Sequence, residues 1–252
     1  MKILLTGATG YLGNALIKDL IKKRYNIYAV VRNLNNSKCE LHNKVNYINL
    51  DLKNKNKLMM HMKKINPEVI IHLAALIPKT IKSNFNNSYK ENFLVTRNIL
   101  EGSAKLKSLK KIIFASSISV FPNLNSDNIM YQEHNITKPL NYYGLHKLKS
   151  EKEITKWAKT YKKIGVILRF SGIHGFPRNS GVVYNYYLNA IKKNLINVDN
   201  PEYNFSFLFI EDAKKACIAT LNKNYSIGKV SIYHIAGSEI ISLRDLAFKI
   251  KS

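Results

Sequence analysis

The chain is poor in the residues that staple or punctuate small scaffolds. Only two of its 252 residues are cysteines, Cys39 and Cys217, and neither has a C-x-x-C neighbour or a histidine pair at ligand spacing. A disulfide framework and a structural zinc site are therefore not signalled, and a reducing, cytoplasmic setting is expected. Proline is scarce too, with six residues against eleven glycines, so collagen-like and low-complexity descriptions fall away. No apolar run approaches the roughly 18 residues of a membrane span. The apolar start at Met1–Leu5 is cut by Thr6-Gly7-Ala8-Thr9-Gly10, too early for the core of a secretory leader. A soluble protein with no membrane partner is expected.

Acidic residues are the other shortage. There are 16 Asp+Glu against 40 Lys+Arg, a formal net charge of +24, which first points to a nucleic-acid or anionic partner. Hydrophobic residues nevertheless make up 46% and charged residues 22%, which is globular composition rather than that of a basic tail. The cations are spread over separate segments, Lys18 to Arg24, Lys105 to Lys111 and Lys147 to Lys163, and form no recognised nucleic-acid-binding motif. Asn and Ile each occur about 30 times, and an excess of Lys, Asn and Ile together is what AT-rich coding produces whatever the function. The charge reads as solvated helix faces, and a nucleic-acid partner is not expected.

Apolar β-rich runs alternate with helical periodicity over the first two-thirds of the chain. Strands are predicted at Lys2–Thr6, Asn26–Arg32, Val45–Leu50, Val69–Leu73, Lys111–Ala115 and Gly165–Arg169. Helices are predicted near Leu12–Lys23, Lys55–Ile65, Asn84–Leu106 and Tyr142–Tyr161. Continuous apolar runs such as Val69-Ile70-Ile71-His72-Leu73 suit strands covered on both faces, hence an α/β fold with a doubly wound parallel sheet of Rossmann type. Beyond Arg169 the rhythm loosens: a Gly/Pro-rich stretch, a Tyr-rich helix near Val182–Lys193, a strand near Phe205–Ile210, and helices near Glu211–Asn222 and Leu243–Lys251. The expected division is a cofactor domain over 1–169 and a small C-terminal substrate-binding lobe over 170–252. Asn/Ser stretches at Asn33–Lys38 and Asn123–Asn128 read as loops.

Gly7, Gly10 and Gly13 punctuate the turn from the first strand into the first helix. Gly7 can adopt a backbone conformation closed to other residues, Gly10 admits a pyrophosphate to the main chain, and Gly13 allows close helix–strand packing. Phosphate would then rest on the helix N-terminus. The second strand ends in Arg32, where an acidic residue would accept bonds from an adenosine ribose. A guanidinium there suits a 2′-phosphate, favouring NADP(H) over NAD(H). Tyr143 and Lys147 stand one helical turn apart, close enough for the ammonium, together with the charge of an oxidised nicotinamide, to lower the phenol's pKa toward working pH. Ser117 ends a strand at the sheet's carboxyl edge, where its hydroxyl could bind the same substrate oxygen. His72, inside an apolar strand, reads as a satisfied core histidine, and no metal site is expected.

With these residues in view the sequence resembles the extended short-chain dehydrogenase/reductases, the NAD(P)-dependent epimerase/dehydratase family. The likeness is carried by the T-G-A-T-G-Y-L-G start, Asp51-Leu52, His72-Leu73-Ala74-Ala75, Asn92, Ser116-Ser117, Glu133, Tyr143-Gly144 with Lys147, Leu168-Arg169 and Ile210-Glu211-Asp212-Ala213. It implies a cofactor held by Gly7, Thr9, Gly10, Tyr11, Leu12 and Gly13. Asp51 and Leu52 would flank the adenine, and Leu73, Ala74, Ala75 and Asn92 would complete the cradle. Ser117, Tyr143 and Lys147 would form the catalytic set, with Lys147 also on the nicotinamide ribose. The implied chemistry is hydride transfer between nicotinamide and a carbon while Tyr143 moves the proton. A homodimer through the two long helices is a further implication.

Departures narrow this expectation. Ser117 is followed by Ile118-Ser119 rather than by the Asp-Glu pair of sugar-nucleotide dehydratases, and no reactive Cys lies nearby. An epimerase or ketoreductase of a nucleotide-activated sugar in polysaccharide assembly is expected. Phe205 stands where many UDP-sugar members carry a diphosphate-neutralising Arg, which keeps open an NADPH-dependent reductase of a non-nucleotide carbonyl compound. Gly172 and His174 replace an Asn and a Tyr. The charge alone keeps open a basic nucleic-acid-binding protein on a Rossmann scaffold.

Overall fold

The strand runs KILLT, NIYAVV, VIIH and KIIFASS are almost wholly buried, because helices cover them from both sides. The structure, a computed structural model, describes residues 1–34, 41–77, 84–122 and 132–251. Cys39, residues 35–38 and the stretch 123–128 lie outside the described residues.

In chain order the first half comprises β1 (Lys2–Thr6), α1 (Tyr11–Lys22), β2 (Asn26–Val31), β3 (Val45–Asn49), α2 (Lys55–Ile65), β4 (Val69–His72), α3 (Phe85–Ser88), a π-helical turn (Tyr89–Leu94), α4 (Val95–Ser103) and β5 (Lys111–Ser117). There follow a 3₁₀ turn (Ile118–Val120), α5 (Tyr142–Tyr161), β6 (Ile164–Phe170), β7 (Gly172–His174), α6 (Val182–Lys193), β8 (Asn204–Phe205), β9 (Phe207–Phe209), α7 (Ile210–Asn222), β10 (Val230–Ile235), β11 (Ile241–Ser242) and α8 (Leu243–Lys251).

Seven strands form one parallel sheet in the order β10-β6-β5-β4-β1-β2-β3. The chain winds outward from β1 through β2 and β3, then crosses back to β4. The crevice beyond the carboxyl ends of β1 and β4 is thus the point where the winding reverses, the place such sheets offer to ligands. On one face α1 and α7 close a core built around Leu16, Ile17, Leu20, Ala213 and Cys217. On the other, α2, α4 and α5 pack Leu58, Met62, Ile99, Ile154 and Trp157 against Ile70, Ile112 and Phe114. Leu16 and Leu20 are fully buried, each contributing about 1.5–3 kcal/mol by area.

The expected helix over Asn84–Leu106 is present with a π-helical turn inside it, from Tyr89 to Leu94. Past residue 169 the chain alternates between two places. Residues from α6, β8, β9, β11 and α8 build a small core of their own around Tyr186, Leu243 and Leu246. In contrast α7 returns to the main core, and β10 adds a seventh strand beside β6, with Val230 opposite Gly165. The stretch expected as a lobe therefore also supplies one edge of the sheet.

Candidate active site

Glycine is required where the main chain of β1 turns into α1. Gly7 has φ +73°, and a Cβ on it would stand 2.6 Å from the Ala74 amide nitrogen; one on Gly13 would stand 2.1 Å from the Gly7 carbonyl oxygen. No side chain caps the N-terminus of α1, and its first turn carries no acidic residue, leaving the helix end suited to an anion. Around this turn lies a pocket of about 460 Å³, lined by Gly7, Thr9, Gly10, Arg32, Asp51, Leu52, Leu73, Ala74 and Ala75 among others. The shape, the glycine cradle and the open helix terminus fit a dinucleotide.

Tyr11, Leu12 and Gly13 form the first turn of α1, so their amides belong to the open helix end, while the side chains of Tyr11, Leu12 and Asn92 stand outside this lining. Leu12 and Gly13 are buried in the packing of α1 on the sheet. The Tyr11 hydroxyl donates to the Gly175 carbonyl at 2.7 Å, tying the turn to the segment after β7. Asn92 is buried and pins the loop after β4: its Oδ1 accepts from the Leu76 amide at 2.8 Å and its Nδ2 donates to the Leu76 carbonyl at 3.1 Å. It shapes the pocket without lining it.

His72 is the satisfied core histidine expected, and its bonds assign its tautomer. The Thr96 hydroxyl donates to the Asn92 carbonyl (2.7 Å), so it accepts from the His72 Nε2–H (3.0 Å). Thr6 accepts from the Ala74 amide (3.3 Å) and donates to Nδ1 (2.7 Å). The chain of bonds joins β1, β4 and α4 behind the pocket, and burial lowers the imidazole pKa to about 3, with Lys147 adding to the effect.

Arg32 lines the pocket as expected, but its Nη2 lies 2.5 Å from Oε2 of Glu91, whose other oxygen meets Lys53 Nζ at 2.6 Å. Glu91 lines the same pocket and was missed by sequence reasoning. The available signal was a rare acidic residue directly before Asn92; its partners lie 59 and 38 residues away and could not be read from spacing.

The structure brings Ser117, Tyr143 and Lys147 together at the carboxyl edge of β5. Asn141 caps α5, its Oδ1 accepting from the Gly144 amide at 2.8 Å. Gly144 lets the helix press onto the 3₁₀ turn, since a Cβ there would stand 2.0 Å from the Ser119 carbonyl oxygen. The Ser117 hydroxyl lies toward the Tyr143 phenol, lowering its pKa, and meets the Ser119 hydroxyl at 3.1 Å. Lys147 Nζ donates to the Ala115 carbonyl at 2.6 Å and sits 4.6 Å from the Phe114 ring centroid and 5.7 Å from that of Tyr143. One turn further along α5, Glu151 is buried in a two-pronged pair with Arg169, at 2.8 and 3.1 Å, and accepts from Ser116.

In the chain by itself, burial sets the charge states of Tyr143 and Lys147. Desolvation pushes the Tyr143 phenol up to about 12, against the Ser117 hydrogen bond, and pushes Lys147 down to about 7, against the Glu151 charge. Lys147 loses its proton first, so the ammonium is gone before the phenol titrates. Closeness alone does not lower the phenol's pKa; burial of both groups dominates.

Among the residues that depart from the family pattern, Phe205 stacks between Tyr203 and Phe207, with ring centroids 4.4 and 5.4 Å away. His174 packs against Phe209, and burial, assisted by Arg178, lowers its pKa. Among the described residues no group of three or more His, Cys, Asp or Glu is placed to hold a metal ion, and no helix is long and apolar enough to cross a membrane.

The chain is similar to known proteins. The "Uncharacterized UDP-glucose epimerase YtcB" of Bacillus subtilis is 26% identical over 265 residues, spanning 96% of this chain and 79% of its own. The UDP-glucuronic acid 4-epimerase of Bacillus cereus, solved with UDP-glucuronic acid and NAD, is 26% identical with a TM-score of 0.83, covering 97% of this chain and 80% of that one. The UDP-glucose 4-epimerase of Thermotoga maritima, solved with UDP-glucose, has a TM-score of 0.86 over 100% of this chain and 82% of its own; at 21% identity that likeness is one of fold. The model of the NAD dependent epimerase/dehydratase family matches residues 3–236, and the chain belongs to that family.

Proposed function

We propose that the protein is an NAD(P)-dependent enzyme of nucleotide-activated sugars, an epimerase or ketoreductase, with Ser117, Tyr143 and Lys147 as its catalytic set. The observation that carries this reading is the meeting of those three side chains beside a glycine cradle at the sheet's switch point. When bound, the nicotinamide would accept or return the hydride, and in its oxidised form add a positive charge favouring the phenolate. With a pKa near 12 the Tyr143 phenol is protonated at neutral pH, which suits it to donate a proton to a substrate carbonyl oxygen. Ser117 supplies a second hydrogen bond to that oxygen. Lys147, with a pKa near 7, can take up or release a proton at working pH and so recharge the phenol. Ile118 and Ser119, which follow Ser117, offer no acid–base pair for expelling water, which favours simple oxidation and reduction at one carbon.

The substrate would sit between this edge and the small lobe, built from α6, β8, β9, β11 and α8. The NADP(H) preference expected from Arg32 rests on that guanidinium alone, and its pairing with Glu91 argues the other way. A dimer through the long helices is supported by the exposed Phe85 and Tyr142, whose rings meet edge to face at 5.1 Å beside α5. A cytoplasmic location accords with the nucleotide substrates proposed.

The reading is tested by incubating the protein with NAD and NADP and a panel of UDP-, GDP- and dTDP-sugars, resolving epimers by chromatography. Appearance of a 4-epimer or reduced sugar, lost in Tyr143→Phe, is expected; no turnover of any nucleotide sugar would overturn it. The aromatic stack around Phe205 favours a second reading, reduction of a non-nucleotide carbonyl compound. Consumption of NAD(P)H by such compounds and not by nucleotide sugars would decide for it.

A further inference from the structure

Glu91 holds an unusual position for one of the chain's few acids. It projects from the π-helical turn into the pocket that contains the glycine turn, and its side chain is only 15% exposed. One oxygen meets Arg32 at the end of β2 and the other meets Lys53 beyond β3, while Lys53 also lies 3.5 Å from Asp51. Two cations and two carboxylates thus cancel on the wall where the adenosine end of a dinucleotide would lie. A 2′-phosphate arriving at Arg32 would have to break the pair with Glu91 and would place its charge beside that carboxylate. A 2′-hydroxyl meets no such repulsion and can donate to that carboxylate.

We propose that Glu91 is the residue that sets cofactor choice, supplying from the helix side the ribose-binding acid absent from the end of β2 and selecting NAD(H) over NADP(H) by occupying Arg32. The proposal rests on the dinucleotide site proposed above. It assigns Arg32 a role opposite to the one its type suggests: the guanidinium is neutralised, and becomes a phosphate clamp only when Glu91 loses its charge.

The test is a titration of the full chain with NADH and NADPH, followed by nucleotide fluorescence, for the unsubstituted protein, Glu91→Gln, Arg32→Ala and the double variant. The unsubstituted protein is expected to bind NADH about tenfold tighter or more. Glu91→Gln should raise the NADPH-to-NADH affinity ratio by about tenfold, a gain that added salt erodes and that disappears in the double variant. An unchanged ratio in Glu91→Gln, or tighter NADPH than NADH binding by the unsubstituted protein, overturns the proposal. Should Glu91→Gln fail to fold, the unsubstituted protein's ratio still decides, and Glu91→Asp, which keeps the charge, is expected to keep NADPH disfavoured. Binding of neither nucleotide would instead sink the dinucleotide site itself, and the proposal with it.

Discussion

Lys147 Nζ lies 2.6 Å from the carbonyl oxygen of Ala115, in an interface that leaves the lysine 1% exposed. The ammonium is thereby placed against the end of β5, with the face of Phe114 beneath it, and the desolvation that lowers its pKa to about 7 follows from that placement.

The lysine pKa gives a stability prediction. Between about 7 and the ordinary lysine value of 10.5 the unfolded chain holds a proton that the folded chain has lost, so this group makes stability rise with pH across that window. The slope is at most about 1.4 kcal/mol per pH unit. Urea unfolding at pH 7, 8 and 9 should show the rise, and Lys147→Met should flatten it; equal slopes in both proteins would contradict the assignment.

At the acid end His72 acts in the same sense. Its folded pKa of about 3 lies below the ordinary histidine value of 6.5, so stability is present above 6.5 and is lost as pH falls toward 3. Replacing it with Gln, which cannot reproduce both threonine bonds, should cost about 1–3 kcal/mol at neutral pH and weaken the acid dependence. Circular dichroism melts from pH 4 to 7 would check this.

Tyr143→Phe removes the proposed proton donor without emptying space. Turnover should fall by about 10²- to 10⁴-fold while dinucleotide affinity changes little. Stopped-flow measurement of nicotinamide absorbance separates the two, and near-normal turnover would rule out the phenol as proton carrier.

Gly144→Ala tests the close approach of α5 to the 3₁₀ turn. The added methyl would meet the Ser119 carbonyl at 2.0 Å, and the contact is backbone, which cannot swing aside. A loss of about 1–3 kcal/mol is expected, with a larger fractional loss of activity than the melting temperature alone explains, because the shift separates Tyr143 from Ser117.

Local patterns were enough to place much of this molecule. The apolar runs of β1, β4 and β5, the glycine turn, and helices α2, α5 and α6 could be read directly, because helix period, strand burial and turn chemistry act over a few residues. Tyr143 and Lys147 could be paired for the same reason. β10 escaped, since its partner β6 lies some sixty residues earlier and its half-buried run VSIYHI gains its hydrogen bonds only from that distant edge.

What the sequence by itself determined was the order of strands and helices up to residue 169, the glycine turn and the identity of the side chains gathered at the sheet's edge. Tertiary structure alone decided their electrical state. Burial raises the Tyr143 pKa and lowers that of Lys147, and Glu91, brought across from the helix side, pairs with an arginine that read as a phosphate clamp. Both outcomes depend on desolvation and on charges close in space but distant along the chain, which no local pattern records.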